Sequence, residues 1–179
     1  MSSTFSSLEL SEALVAELHR LGVRHLVRLH PDRPASPIPP ADLIAALARH
    51  PEARMRGALI PLFLRRPSFS QYVPAIQAGL TGAAADTLRL YYQAAVYLRS
   101  EVAADLRQFS DDGAALPDLF SEILGVPAPG AVPAASALEA LGAVHARLTG
   151  RAYNWVGTYR QSLPVFLRQL RQSHAALSA

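Results

Sequence analysis

Apolar residues recur at helical spacing along most of the chain. Leu10, Leu14, Leu18 and Leu21 follow one another at steps of three and four, the spacing of one helix face. Ser6 and Glu9 fit a capping box ahead of them, and Gly22 fits a stop just beyond the last turn. Leu43, Ile44 and Leu47 start a second helix after Asp42, closed before His50-Pro51. Residues 52–66 place Met55, Leu59, Leu62 and Phe63 on one side, and Pro61 is expected to kink that helix. A short segment over 68–80 carries Phe69, Tyr72, Val73, Ile76 and Leu80. The longest predicted helix covers residues 83–109, with Leu88, Tyr92, Ala95, Leu98, Val102, Leu106 and Phe109 on its core stripe. At about 1.5 Å per residue it spans roughly 40 Å, enough for the central post of a bundle. Three helices follow: a short one opened by Pro117 and closed by Gly125, one over 136–148, and one over 152–177 with a kink at Pro164.

Two stretches depart from that spacing. Val23, His25, Val27 and Leu29 alternate as in a strand, yet no second strand is evident to pair with them. Helix or irregular structure is the favoured reading, with pairing to another molecule as the alternative. Residues 31–40 contain five prolines, at 31, 34, 37, 39 and 40, which makes an extended linker or surface strap. The expected organisation is an N-terminal arm over 1–30, this strap, and a helical body over 41–179.

Composition agrees. Among 179 residues are 32 Ala and 27 Leu, against 11 Val and 5 Ile, a balance that favours helix over strand. The fold class expected is all-α, an irregular bundle of six to eight helices. The longest purely apolar run, from 58 to 64, has seven residues, far short of the roughly 20 of a spanning helix. The first residues have neither a basic region nor an apolar core of the secretory kind. A cytoplasmic chain with no membrane partner is expected.

Two absences exclude whole classes of chemistry. There is no lysine, so a Walker-type phosphate loop and a Schiff-base mechanism are excluded. There is no cysteine, so thiol catalysis, iron–sulfur clusters, cysteine zinc sites and disulfides are excluded. No histidine pair has metal-ligand spacing and no glycine-rich cofactor motif is present, so neither a metal nor a cofactor is expected. His145 shares a face with Leu141 and Leu148 and reads as a core histidine. The 17 basic residues are all arginine and the net charge is +3. Charge is segregated: residues 101–140 hold seven acids against one Arg, and residues 141–179 hold five Arg and no acid. Those halves either face each other in the fold or leave a basic surface for an acidic partner or a nucleic acid.

Candidate binding residues fall in three groups. The first is Tyr153, Trp155, Tyr159 and Arg160, around the only Trp of the chain. Its three rings cannot all face one core, so at least one is expected at the surface, where Trp, Tyr and Arg dominate binding hot spots and aromatic rings stack on bases. The second is Arg54, Arg56, Arg65 and Arg66, with Arg89 and Tyr91 beside them if the helices are neighbours. The third, Arg160, Arg168 and Arg171, lies along the last helix. Merged, the three would form a basic stripe able to track phosphates.

Arg168-Gln169-Leu170-Arg171-Gln172-Ser173-His174 resembles the Arg-x(4–6)-His pattern of HEPN domains. These are small helical bundles, some of which cleave RNA while others accompany nucleotidyltransferases in two-gene defence systems. The pairs Arg20–His25 and Arg24–His30 fit the same pattern. Residues 49–66 and 88–98 resemble uncharacterised bacterial helical companions of nucleotidyltransferases. The resemblance implies Arg168 and His174 as the catalytic pair of a metal-independent ribonuclease, or a companion role. The residues themselves favour a non-enzymatic helical binding or regulatory subunit with a protein partner, for which the resemblance suggests a nucleotidyltransferase-type effector. A nucleic-acid binder using the arginine surfaces is the alternative, the ribonuclease is the third reading, and a homo-oligomer is compatible with each.

Overall fold

The computed structural model describes residues 7–24, 26, 36–109 and 115–177, without the side chains of Ser7, Gln108, Phe109, Ser173, His174 and Leu177. The capping Ser6, most of the alternating 23–29 stretch and the first half of the strap lie outside the described residues. Those residues form an all-α bundle. In chain order its helices are α1 (Ser7–Arg20), α2 (Pro40–Arg49), α3 (Ala53–Gly57), α4 (Leu59–Arg65), α5 (Val73–Ala78), α6 (Gly82–Glu101), α7 (Ala103–Phe109), α8 (Ser121–Leu124), α9 (Ala134–Thr149), α10 (Trp155–Arg160) and α11 (Leu163–Leu177), with a 3-10 helix over Pro67–Tyr72. Three helices expected to be continuous are each divided, at Ala58, Val102 and Gln161–Ser162. Counted as single helices, the divided pairs bring the number of α-helices to eight.

Prolines explain two of those divisions. A proline has no N–H to donate and its ring clashes with the carbonyl four residues earlier. Pro61 therefore breaks the ladder near Gly57, and α4 starts afresh at Leu59 with Pro61 in its first turn, where no donor is needed. Pro164 likewise sits second in α11. Pro40 and Pro74 open α2 and α5 in the same way. The expected kinks are starts of new helices, because the orphan donors of a first turn make that position the least costly for proline. The third division has no proline: α6 closes at Val102, whose backbone leaves the helical range at φ −98°, ψ 15°.

The N-terminal arm is part of the core. Leu14, Val15, Leu18, Leu21 and Val23 are buried in the same apolar cluster as Leu43, Leu59 and Leu98. As the sequence indicated, Gly22 ends α1, with φ +86°. Val23 N–H reaches Leu18 O at 2.8 Å and Gly22 N–H reaches His19 O at 3.0 Å, the paired bonds of a Schellman stop. Ser11 Oγ meets His50 Nε2 at 2.9 Å, which ties α1 to the end of α2.

Helix α6 is the central post. From Leu90 to Arg99 every residue is buried, and α2, α3, α4, α5, α9 and α10 all pack on it. Its polar side chains must find partners inside the protein. Tyr92 Oη donates to Pro117 O at 2.9 Å and Tyr97 Oη to Pro127 O at 2.5 Å, so two phenols pin the 115–133 connection to the post. Buried Arg99 donates to Leu64 O at 2.8 Å, one of the open carbonyls at the end of α4. Gln93 is the exception: fully buried, with no well-formed hydrogen bond to either amide atom among the described residues. A buried amide without partners costs about 1–3 kcal/mol. Gln93→Met, close in volume and apolar, is expected to raise the urea midpoint, corresponding to about 1–2 kcal/mol of added stability. A lowered midpoint would show that the amide has a stabilising role.

Candidate functional site

Two features meet at the C-terminal end of α9. The first is an aromatic stack built inward from the surface. Tyr153, 68% exposed, stands edge-on to Trp155 with centroids 5.4 Å apart. Trp155, half-buried, stacks on the His145 imidazole at 3.5 Å with an interplanar angle of 16°. His145 is buried, and Tyr91 and Tyr159 close around it, at centroid distances of 5.8 and 5.9 Å. The stack requires α10 to lie close on α9. Gly142 lies at that seam, where an added Cβ would meet Trp155 Cβ at 3.5 Å and Val156 Cγ2 at 3.6 Å, both ordinary contact distances. Asn154 fixes the start of α10, its Oδ1 accepting from Gly157 N–H at 2.8 Å.

The electrostatics of the stack's base are set by burial. Burial, reinforced by the Arg56 charge, lowers the His145 pKa to about 4, so the ring is neutral at pH 7. Burial raises the Tyr159 pKa and keeps its phenol protonated. Tyr159 Oη lies 2.8 Å from His145 Nδ1. A protonated phenol and a neutral imidazole share this one hydrogen bond without any charge between them. The pair is a structural hydrogen bond within an aromatic cluster, and His145 is the core histidine the sequence indicated.

The second feature is a shallow groove between α6, α8 and α9, about 230 Å³ in volume. Ile123 and Leu148, 65% and 50% exposed, line it with Val144, Arg89, Arg147 and Asp86. Sequence reasoning missed Ile123, Arg147 and Leu148. Leu148 shares a face with buried Leu141 and His145 yet is itself exposed, one turn beyond Val144, and α8, which carries Ile123, has a single turn.

Several expected site residues are engaged elsewhere. Tyr91 and Tyr159 are buried and present nothing to a partner, since both are needed to close the cluster around His145. Arg160 forms a two-pronged pair with Glu101, both contacts 2.7 Å, and Arg171 reaches Asp105 at 3.4 Å. The acidic and basic segments therefore face each other where α10 and α11 meet α6 and α7. Such partly exposed pairs stabilise by at most about 1 kcal/mol; their larger effect is to cancel surface potential. Arg54 pairs with Glu52 at 2.6 Å, Arg56 donates to the carbonyls of His50 and Pro51 at 2.8 and 2.6 Å, and Arg89 pairs with Asp86 at 3.1 Å. Arg54, Arg56, Arg89, Arg160 and Arg171 are thus engaged within the fold and are not free to form one basic stripe. Arg65 is half-buried and Arg66 exposed. Arg168 is exposed on α11, and the His174 side chain lies outside the described residues.

No group of His, Asp or Glu among the described residues is arranged to hold a metal ion, and no described helix is long and apolar enough to cross a membrane. No family model, no curated protein and no solved structure matches the chain.

The lowered His145 pKa gives stability a pH dependence. The unfolded ring takes up its proton near pH 6.5 and the folded ring only near pH 4. Stability is therefore complete above pH 6.5 and falls as the pH drops through this window, by about 3 kcal/mol at its end. Urea midpoints measured at pH 7 and pH 5 should differ by less in His145→Gln than in the wild type. Equal differences would show that His145 does not titrate as described.

Proposed function

We propose that the protein is a non-enzymatic helical subunit that binds a partner protein through the C-terminal end of α9. The observation that carries this reading is the Tyr153–Trp155–His145 stack. It holds a large ring in solvent on an immobile base. A pre-positioned aromatic residue loses little conformational freedom on association, and so contributes more of its contact energy to binding. Leu148 and Ile123 supply exposed apolar surface near that end of α9. Arg147 and Arg151, both exposed, supply the residue type most enriched around such anchors. The partner class suggested by the sequence resemblance is a nucleotidyltransferase-type effector.

The reading is tested by co-expressing the tagged chain with its genomic neighbours and weighing what co-purifies after nuclease treatment. A stoichiometric protein partner is expected, and Tyr153→Ala combined with Leu148→Ser should cut its recovery at least roughly tenfold, on the scale of a lost hot spot. Both side chains are exposed, so the thermal midpoint should stay within a few degrees of the wild type. Tyr159→Ala, which empties the buried cluster, should instead lower stability by about 3–5 kcal/mol. Recovery unchanged in the Tyr153/Leu148 variant would overturn the assignment of this surface.

A further inference from the structure

Most arginines with described contacts are turned toward their own chain, but one cluster is not. Arg65, the last residue of α4, lies across Gly22, just past the end of α1. A Cβ on Gly22 would stand 3.1 Å from Arg65 Nε and 3.6 Å from Nη2. With its positive φ, that position is doubly suited to glycine. A small cavity of about 10 Å³ opens beside it, lined by Gly22, Arg24 and Pro61 on one side and by Phe166 and Gln169 of α11 on the other. Arg24 lines that opening, and Arg65, which lies against Gly22, stands beside it. Arg66 follows directly and is exposed.

None of the three meets a carboxylate among the described residues. This is costly for Arg65, because a half-buried charge needs a counter-charge or water to offset its lost hydration. Burial, and then the neighbouring Arg66, lowers the Arg65 pKa. The helix ends do not neutralise the cluster. The C-termini of α1 and α4 each contribute roughly half a negative charge, against three full positive charges. About two positive charges are left over.

We infer that Arg24, Arg65 and Arg66 form a phosphate-binding site that seats the phosphodiester backbone of a nucleic acid. Guanidinium groups match phosphate oxygens in charge and in their forked donor geometry. The cavity has room for about one water molecule, too little to enclose a base or a nucleotide. The ligand must therefore lie across the opening, as a chain of phosphates does. Exposed Arg168, next to Gln169 on α11, extends the line of charge. This site shares no residue with the end of α9, so the two readings stand or fall separately.

The test is fluorescence anisotropy of labelled oligouridylate and oligodeoxythymidylate with the purified chain, across a series of KCl concentrations. Binding should weaken as salt rises. Arg24→Ala and Arg66→Ala should each flatten the log–log salt dependence by about 0.7. The double reversal Arg24→Glu/Arg66→Glu should weaken binding at low salt more than roughly tenfold. Both side chains are exposed, so the fold should tolerate these changes, as circular dichroism can check. Arg54→Ala and Arg160→Ala, which remove guanidiniums already paired with Glu52 and Glu101, should leave the salt dependence unchanged. Inorganic phosphate and pyrophosphate separate the two sources of the same chemistry: a site for free phosphate would saturate with either ion and ignore the oligonucleotides. That result, a flat salt response, or full binding by the double reversal would overturn the inference.

Discussion

A helix segment enclosed on every side, as α6 is from Leu90 to Arg99, has no water to satisfy its polar side chains, and much of this architecture follows from that constraint. Its apolar residues supply the contact surface for six other helices. Its polar side chains act as internal fasteners. Tyr92 and Tyr97 hold the long connection before α9, and Arg99 closes the end of α4. Each bond is worth only about 1 kcal/mol net, but breaking one leaves a buried group stranded at a cost of about 1–3 kcal/mol. The enclosure therefore specifies where the connections run more than it adds to stability. The position of α8, and with it that of Ile123 beside α9, depends on these fasteners.

The same principle separates two kinds of arginine. Arg99 is enclosed and bonded to a carbonyl, while Arg160 and Arg54 sit at the rim with carboxylates in reach. Arg65 is partly enclosed with a second arginine beside it and no acid. Because lysine is absent, counts of basic residues along the chain cannot distinguish these roles. Burial and the identity of the neighbour do.

Much of the fold was legible in the sequence. Apolar spacing located the helices and their core stripes. Gly22 and Gly125 marked stops that the structure realises with positive φ. The all-α class followed from the Ala and Leu content. Prolines were legible as interruptions but not as starts, because spacing alone does not say on which side of a proline a ladder resumes. The site was less legible. That one ring of the 153–159 cluster must be exposed followed from angular spacing, and Tyr153 is that ring. Which rings are buried depends on α6 and α9, distant in sequence, and Tyr91 was misplaced for that reason. The pairing of Arg160 with Glu101 spans 59 positions and leaves no local trace beyond the segregation of charge. The union of Gly22, Arg24 and Arg65 depends on two helix ends meeting, which no local pattern encodes.

The stacking of Trp155 on His145 has an optical consequence. The chain has one indole, so its tryptophan emission, excited apart from the tyrosines, comes from a single place, the seam between α9 and α10. An imidazole held 3.5 Å from that indole makes the emission sensitive to any parting of the two rings. A protein seated on Tyr153, a slipped α10 or a proton gained by the ring beneath would each alter the signal without any added label. The molecule thus carries its own gauge at the surface proposed to bind a partner, and events elsewhere on the bundle reach that gauge only by moving the seam.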